Sequence, residues 1–196
     1  MRKTLLVLGA LALVVAVVVG ARQADESDPA AGAAPRPLSL AEVSRPLAGA
    51  PAPLAALHAR VNELQPGGKR ALDAQLRALR GHPVVVNLWA SWCAPCRHEL
   101  PFFQRQAVKR GARVAFLGVN SNDNRGEARK LSARYPMPYP SIEDRRFAVA
   151  GEYGARGMPV TAFYDARGKR VLVHQGGYTS EAQLADEIER YALGRG

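Results

Sequence analysis

Apolar and polar positions fall into three regimes along the chain. Residues 4–21, TLLVLGALALVVAVVVGA, carry no charge and follow Arg2 and Lys3. As a helix rising 1.5 Å per residue this run reaches ~27 Å, about the hydrocarbon thickness of a bilayer. Residues 23–50 are rich in Ala, Pro, Gly and Ser without a sustained period, which reads as a flexible linker. From 51 to 196 the pattern is that of one folded domain. Leu54, Leu57, Val61 and Leu64 recur at helical spacing until Pro66-Gly67-Gly68, and Leu72, Leu76 and Leu79 mark a second amphipathic helix that Gly81 and Pro83 end. VVVNLW (84–89) and RVAFLGVN (113–120) are nearly continuous apolar runs, as strands buried on both faces should be. A helix from near Cys93 to about Arg110 joins them. Asn124 to Tyr135 reads as another, broken by Pro136-Met137-Pro138. A short helix around Phe147 to Tyr153 leads to a third strand, PVTAFYD (159–165), which Ala166-Arg167-Gly168 turns back into KRVLVHQGG (169–177). Ser180 caps a last helix with Leu184, Ile188 and Tyr191 on its inner face. A βαβ unit, a β-hairpin and a closing helix predict an α/β fold whose central mixed sheet is flanked by helices.

The apolar run sets the compartment. Positive charges ahead of it keep the N-terminus inside and send the rest of the chain out. Residues 1–22 are then a retained anchor, holding the domain on the extracytoplasmic side of a membrane, or a signal segment cut after the small residues Val19-Gly20-Ala21, releasing it. No cysteine lies near the run, which excludes N-terminal lipoprotein anchoring. The net charge of +10 permits attraction to anionic surfaces. Its Lys and Arg are scattered, however, and none of them interleave with aromatics as in a nucleic-acid platform. No nucleic-acid partner is expected.

Both cysteines, Cys93 and Cys96, lie in WASWCAPCRHELP (89–101). As a staple, a bridge between positions i and i+3 would contribute ~2 kcal/mol, against ~4–5 for a loop of about 100 residues. As a metal site the pair supplies two of the four ligands zinc needs. His58, His82, His98 and His174 show no second pair at ligand spacing, so no metal or other cofactor is expected. The redox reading explains more. Cys93 falls where a buried strand turns into a helix, so its sulfur meets unpaired backbone N–H groups and the helix dipole, both of which favour the thiolate. Cys96 lies on the same helical face, close enough to bond. Pro95 costs little in a first turn, where its missing N–H would be unpaired anyway. Cys93 attacks a disulfide and Cys96 resolves the mixed disulfide.

With its surroundings, VVVNLWASWCAPCRHELP resembles the thioredoxin superfamily, specifically the TlpA/ResA-type membrane-tethered thiol–disulfide oxidoreductases. The likeness covers roughly residues 70 to 196 and includes Trp92, the Glu99-x-Pro101 step and GMPVTAFYDARGKRV. It implies a thioredoxin-like fold in which Pro159 is cis and faces a Cys93–Cys96 redox disulfide. Met158 then offers its backbone to substrate like an added strand, and Trp92 flanks the sulfurs. Glu99 matches an acid that these relatives carry near the disulfide, where it would tune thiol pKa or relay protons; the plain alternative is a solvated or N–H-capping carboxylate. Asn87 stands where ordinary thioredoxins bury an acid. Arg97 either favours the thiolate or is a solvated surface residue, and Trp89 belongs to the core. The implied partners are protein disulfides or dithiols and a membrane electron donor. The implied activity is reduction of protein disulfides, with cytochrome c maturation as a setting; installing disulfides in secreted proteins is the alternative, since Ala94-Pro95 sets a potential that no sequence rule yields. A peroxidase would want Thr where Ala90 stands, and a copper chaperone wider cysteine spacing with a distant His such as His174. One departure stands out. GGKRALDAQLRALRGHP reads as a helix, where TlpA/ResA-type domains begin with a β-hairpin.

Overall fold

A computed structural model describes residues 35–195. The apolar run of residues 4–21 and the first part of the Ala/Pro-rich segment lie outside the described residues, and among those described no helix is long and apolar enough to cross a membrane.

The elements are α1 (Leu40–Val43), α2 (Ala52–His58), β1 (Leu64–Gln65), α3 (Gly68–Ala78), β2 (Val84–Trp89), α4 (Ala94–Arg110), β3 (Ala115–Ser121), α5 (Arg125–Arg134), β4 (Ser141–Asp144), α6 (Ala148–Glu152), β5 (Val160–Tyr164), β6 (Arg170–Gln175) and α7 (Glu181–Glu187), which runs into a π-helical turn at Ile188–Ala192. The strands form one mixed sheet in the order β1-β4-β3-β2-β5-β6. The first four lie parallel, while β5 runs antiparallel to β2 and β6 antiparallel to β5. Strand β2 is central and buried throughout. Because successive side chains point to opposite faces, Val85 and Trp89 pack with Leu100, Phe103, Phe116, Leu184 and Ile188 on one side. Val84, Val86 and Leu88 pack with Leu54, Leu72, Leu117, Ile142 and Val149 on the other. The expected thioredoxin-like arrangement, a mixed sheet covered on both faces, is what forms.

Two stretches depart from their periodicity. The helix marked by Leu54 and Leu57 ends at His58, and Leu64 instead enters the edge strand β1. Asn62 explains the break. It adopts a left-handed φ of 60°, its N–H donates to the Met137 carbonyl at 2.9 Å, and its side chain bonds Met137 N–H and the Ser132 carbonyl. Strand β4 has no apolar signature: Ser141, Glu143 and Asp144 are buried with Ile142. Burial of these acids is sustained by partners. Glu143 pairs with Arg125 and Arg145, and Asp144 accepts the N–H groups of Ala148, Val149 and Ala150 at the start of α6.

Residues 35–50, the described part of the segment read as linker, lie on the domain. Ser39 and Glu42 form a reciprocal capping box on α1, and Val43 is fully buried. Leu38 exchanges two hydrogen bonds with the buried side chain of Gln104 on α4. Polar caps do the work here, so an apolar period cannot reveal it.

Trp89 Nε1–H donates to Ser141 Oγ at 3.1 Å, across the strand between them. Gly118 on β3 leaves room for this bond: a Cβ there would collide with Ser141 Oγ and lie 3.0 Å from Trp89 Nε1. Gly118→Ala should therefore destabilise the fold by about 1–3 kcal/mol, the cost of overpacking a closed core, read as a lower urea midpoint at unchanged slope.

Candidate functional site

Strand β2 delivers the chain to the carboxyl edge of the sheet, and α4 begins there. Cys93 is the N-cap residue, with extended backbone (φ −84°, ψ 106°), and its Sγ accepts the Cys96 N–H at 3.2 Å. One of the orphan donors of a helix start is thus spent on this sulfur. Pro95, in the first turn, needs no partner for an N–H it lacks. Cys93 and Cys96 are joined as a disulfide with Cα atoms 5.3 Å apart. Both are buried, Cys93 with 3% exposure and Cys96 with none, so Cys93 is the less enclosed of the two.

Beneath the pair lies Glu99, one helical turn beyond Cys96 and fully buried. Its Oε1 accepts from Asn87 Nδ2 at 2.8 Å and its Oε2 from Tyr178 N–H at 3.0 Å. Burial pushes its pKa up to about 8, with the two hydrogen bonds opposing the shift. The solvated alternative is thereby removed, while a backbone N–H does end on this carboxyl, that of Tyr178. Asn87 Oδ1 and Thr161 Oγ1, register partners on β2 and β5, are buried without a hydrogen-bond partner among the described residues.

The Met158–Pro159 peptide is cis. Pro159 approaches the site through Gly177: a Cβ on that glycine would lie 3.5 Å from both Pro159 and Pro95 and 3.6 Å from Glu99 Oε2. Met158 is half-buried. Trp92 is 54% exposed, and its Nε1–H donates to the Asn122 carbonyl at 3.0 Å. The expected residues Trp92, Cys93, Cys96, Glu99, Met158 and Pro159 all come to one end of the sheet. Arg97 is neither free in solvent nor aimed at a sulfur, since its guanidinium donates to the Ser91 carbonyl at 2.7 Å. His98 packs edge-on against Phe102. His174 bonds Glu187 and stacks on Tyr178, whose hydroxyl donates to the same carboxylate.

Sequence reasoning missed Asp123. Its carboxylate accepts Ser91 N–H, Ser91 Oγ–H and Asn120 Nδ2–H, fixing the turn ahead of the cysteines. A signal was present in Ser121-Asn122-Asp123-Asn124, a turn-forming cluster that closes a buried strand parallel to β2 and so ends beside it. Tyr178 was missed as well, and no motif marks it: its contribution to Glu99 is a backbone N–H.

A family model described as AhpC/TSA matches residues 49–172. The chain is 31% identical over 117 residues to the thiol-disulfide oxidoreductase ResA of Halalkalibacterium halodurans, covering 58% of this chain and 64% of that one. It thus spans less than two thirds of that relative's length. It is 33% identical over 147 residues to the thiol:disulfide interchange protein HelX of Rhodobacter capsulatus, covering 74% of this chain and 80% of that one. Among solved structures it matches one assigned to a thiol:disulfide interchange protein DsbE of Chlorobium tepidum, with a TM-score of 0.54 and 30% identity over 58% of this chain and 82% of the other. With more than half its residues under one family model and a relative matched over four fifths of its length, the chain belongs to the AhpC/TSA family and carries its thioredoxin-like fold.

Proposed function

We propose that this chain is an exported thiol–disulfide oxidoreductase that reduces protein disulfides. The observation that carries the reading is a disulfide whose first, less enclosed cysteine caps a helix start and whose second is fully buried one turn before a buried carboxyl. The relatives named above as oxidoreductase and interchange protein support it.

The cycle starts from the dithiol. Cys93, as thiolate at the amino end of α4, attacks one sulfur of a client disulfide; a mixed disulfide forms, and the other client sulfur leaves and takes up a proton. Cys96, deprotonated, then attacks Cys93 Sγ. The Cys93–Cys96 bond forms, the second client sulfur leaves, and two electrons have passed to the client. The fraction of Glu99 that is ionised near neutral pH is suited to receive the Cys96 proton, because a carboxyl pushed up to about 8 lies close to the ordinary thiol value of about 8.5. Trp92, the Met158 backbone and Pro159 would line the client's path. A membrane electron donor would restore the dithiol, the segment 1–22 would hold the domain at the membrane or be cleaved, and apocytochrome c is a fitting client.

Three outcomes are expected. First, Cys96→Ser should accumulate mixed disulfides with client proteins, seen by mass spectrometry, while Cys93→Ser forms none. Trapping thiols in intact cells should find the pair mostly reduced, with a potential toward the thioredoxin value of about −270 mV; a mostly oxidised pair near the −120 mV end of the range would reverse the direction.

Second, Glu99 should leave a signature in stability. Between about pH 4.5, its ordinary value, and about pH 8, the folded chain holds a proton that the unfolded chain has lost. Stability of the oxidised protein should therefore fall as pH rises through that window, by up to about 1.4 kcal/mol per pH unit. Urea midpoints of Glu99→Gln should lack this slope. Third, the same substitution should shift the Cys96 thiol pKa and slow the resolving step; unchanged thiol pKa values and rates would remove Glu99 from the mechanism.

A further inference from the structure

The carboxyl ends of β2, β3 and β4 are level, since Trp89 pairs with Asn120 and Asn120 with Glu143. The disulfide stands beyond the end of β2. Two strands away, beyond the end of β4, opens a cleft of about 520 Å³ bounded by Pro66–Lys69, Arg125 and Glu143–Arg146. Its basic residues come from three segments far apart in sequence, which is why no run of basic residues marks it.

Charge at this edge is sorted by depth. The acids are used internally: buried Asp144 on three N–H groups of α6, buried Glu143 on Arg125 and Arg145, and half-buried Asp123 on Ser91 and Asn120. The cations face outward. Arg145 has a side chain 66% exposed, touching Glu143 only at 3.5 Å. Arg146 is exposed and makes no ion pair among the described residues. Lys69 is paired with Asp73 and Glu152 and adds little net charge. The mouth of the cleft therefore presents Arg145 and Arg146 in excess.

We infer that this cleft docks an acidic segment of the client polypeptide next to its disulfide. The inference rests on the oxidoreductase reading and supplies its missing substrate preference. At about 4.8 Å per strand, the end of β4 lies about 10 Å to the side of β2. Three or four extended residues, at about 3.4 Å each, reach from a cysteine bonded to Cys93 into the cleft. A carboxylate there meets guanidinium donors without displacing an existing ion pair at Arg146, and forked guanidinium–carboxylate bonds favour this geometry.

The test uses the full chain and two disulfide-bonded peptides that differ only in three Asp or three Ser residues beginning three positions after the cysteine, with oxidised glutathione as a small substrate. At low ionic strength the acidic peptide should react about 10-fold faster than the neutral one, and the advantage should vanish near 0.5 M salt. Arg145→Gln with Arg146→Gln should erase it. Arg167→Gln with Arg190→Gln, the same charge change at the opposite edge of the sheet, should keep it. Equal rates for the two peptides, or a preference that survives loss of Arg145 and Arg146, would overturn the inference while leaving the chemistry intact. Equal rates combined with binding to anionic lipid vesicles that needs both arginines would overturn it in favour of a membrane contact. A chain that exchanges with neither peptide nor glutathione would sink the oxidoreductase reading, and the docking proposal with it.

Discussion

The burial of one carboxyl group organises the active end of this molecule. Glu99 stands on α4 but is bonded by β2 through Asn87 and by the segment after β6 through the Tyr178 N–H. A carboxyl taken from water must be hydrogen-bonded or neutral, and here it is both held by two donors and pushed toward the neutral form. That requirement draws three separate parts of the chain to one point. Gly177 belongs to the same junction, since a Cβ there would make ordinary contact with Pro159, Pro95 and Glu99 together. The disulfide stands one helical turn before this junction, at the start of α4.

The remaining acids of the sheet edge follow the same economy. Half-buried Asp123 and buried Asp144 and Glu143 hold a turn, a helix start and an arginine respectively. Using carboxylates as internal fasteners leaves a surface on which arginine predominates. A chain of net charge +10 thus need not display a basic run in its sequence to carry a basic region in space.

Legibility of the sequence followed the physics of each element. Strands β2 and β3 were readable because burial on both faces demands an unbroken apolar run, and the cysteine pair because few purposes tolerate that spacing. The cis state of Pro159 came from resemblance, since no local rule gives it. Strand β4 was not readable, because its buried positions are filled by Ser141, Glu143 and Asp144 and depend on partners distant in sequence. Val61 and Leu64 fitted a helical period that Asn62 interrupts with a single left-handed residue. Asp123 and Tyr178 act on the site through a turn and a backbone N–H, neither of which leaves a mark in a pattern of apolar residues.

The hydrogen bonds around Ser91 and Trp92 have a mechanical consequence. Ser91 is fastened to Asp123, and the Trp92 ring to the Asn122 carbonyl, so the turn before the cysteines and the loop after β3 are joined. They form the fixed jaw of a vise. Residues 156–158, on the segment that leads into β5, are held through Arg156 N–H to Gln175 at 3.3 Å and through Met158, which packs against both core clusters. A pull on either the turn before the cysteines or the loop after β3 is therefore carried by both, and Cys93 keeps its place at the start of α4.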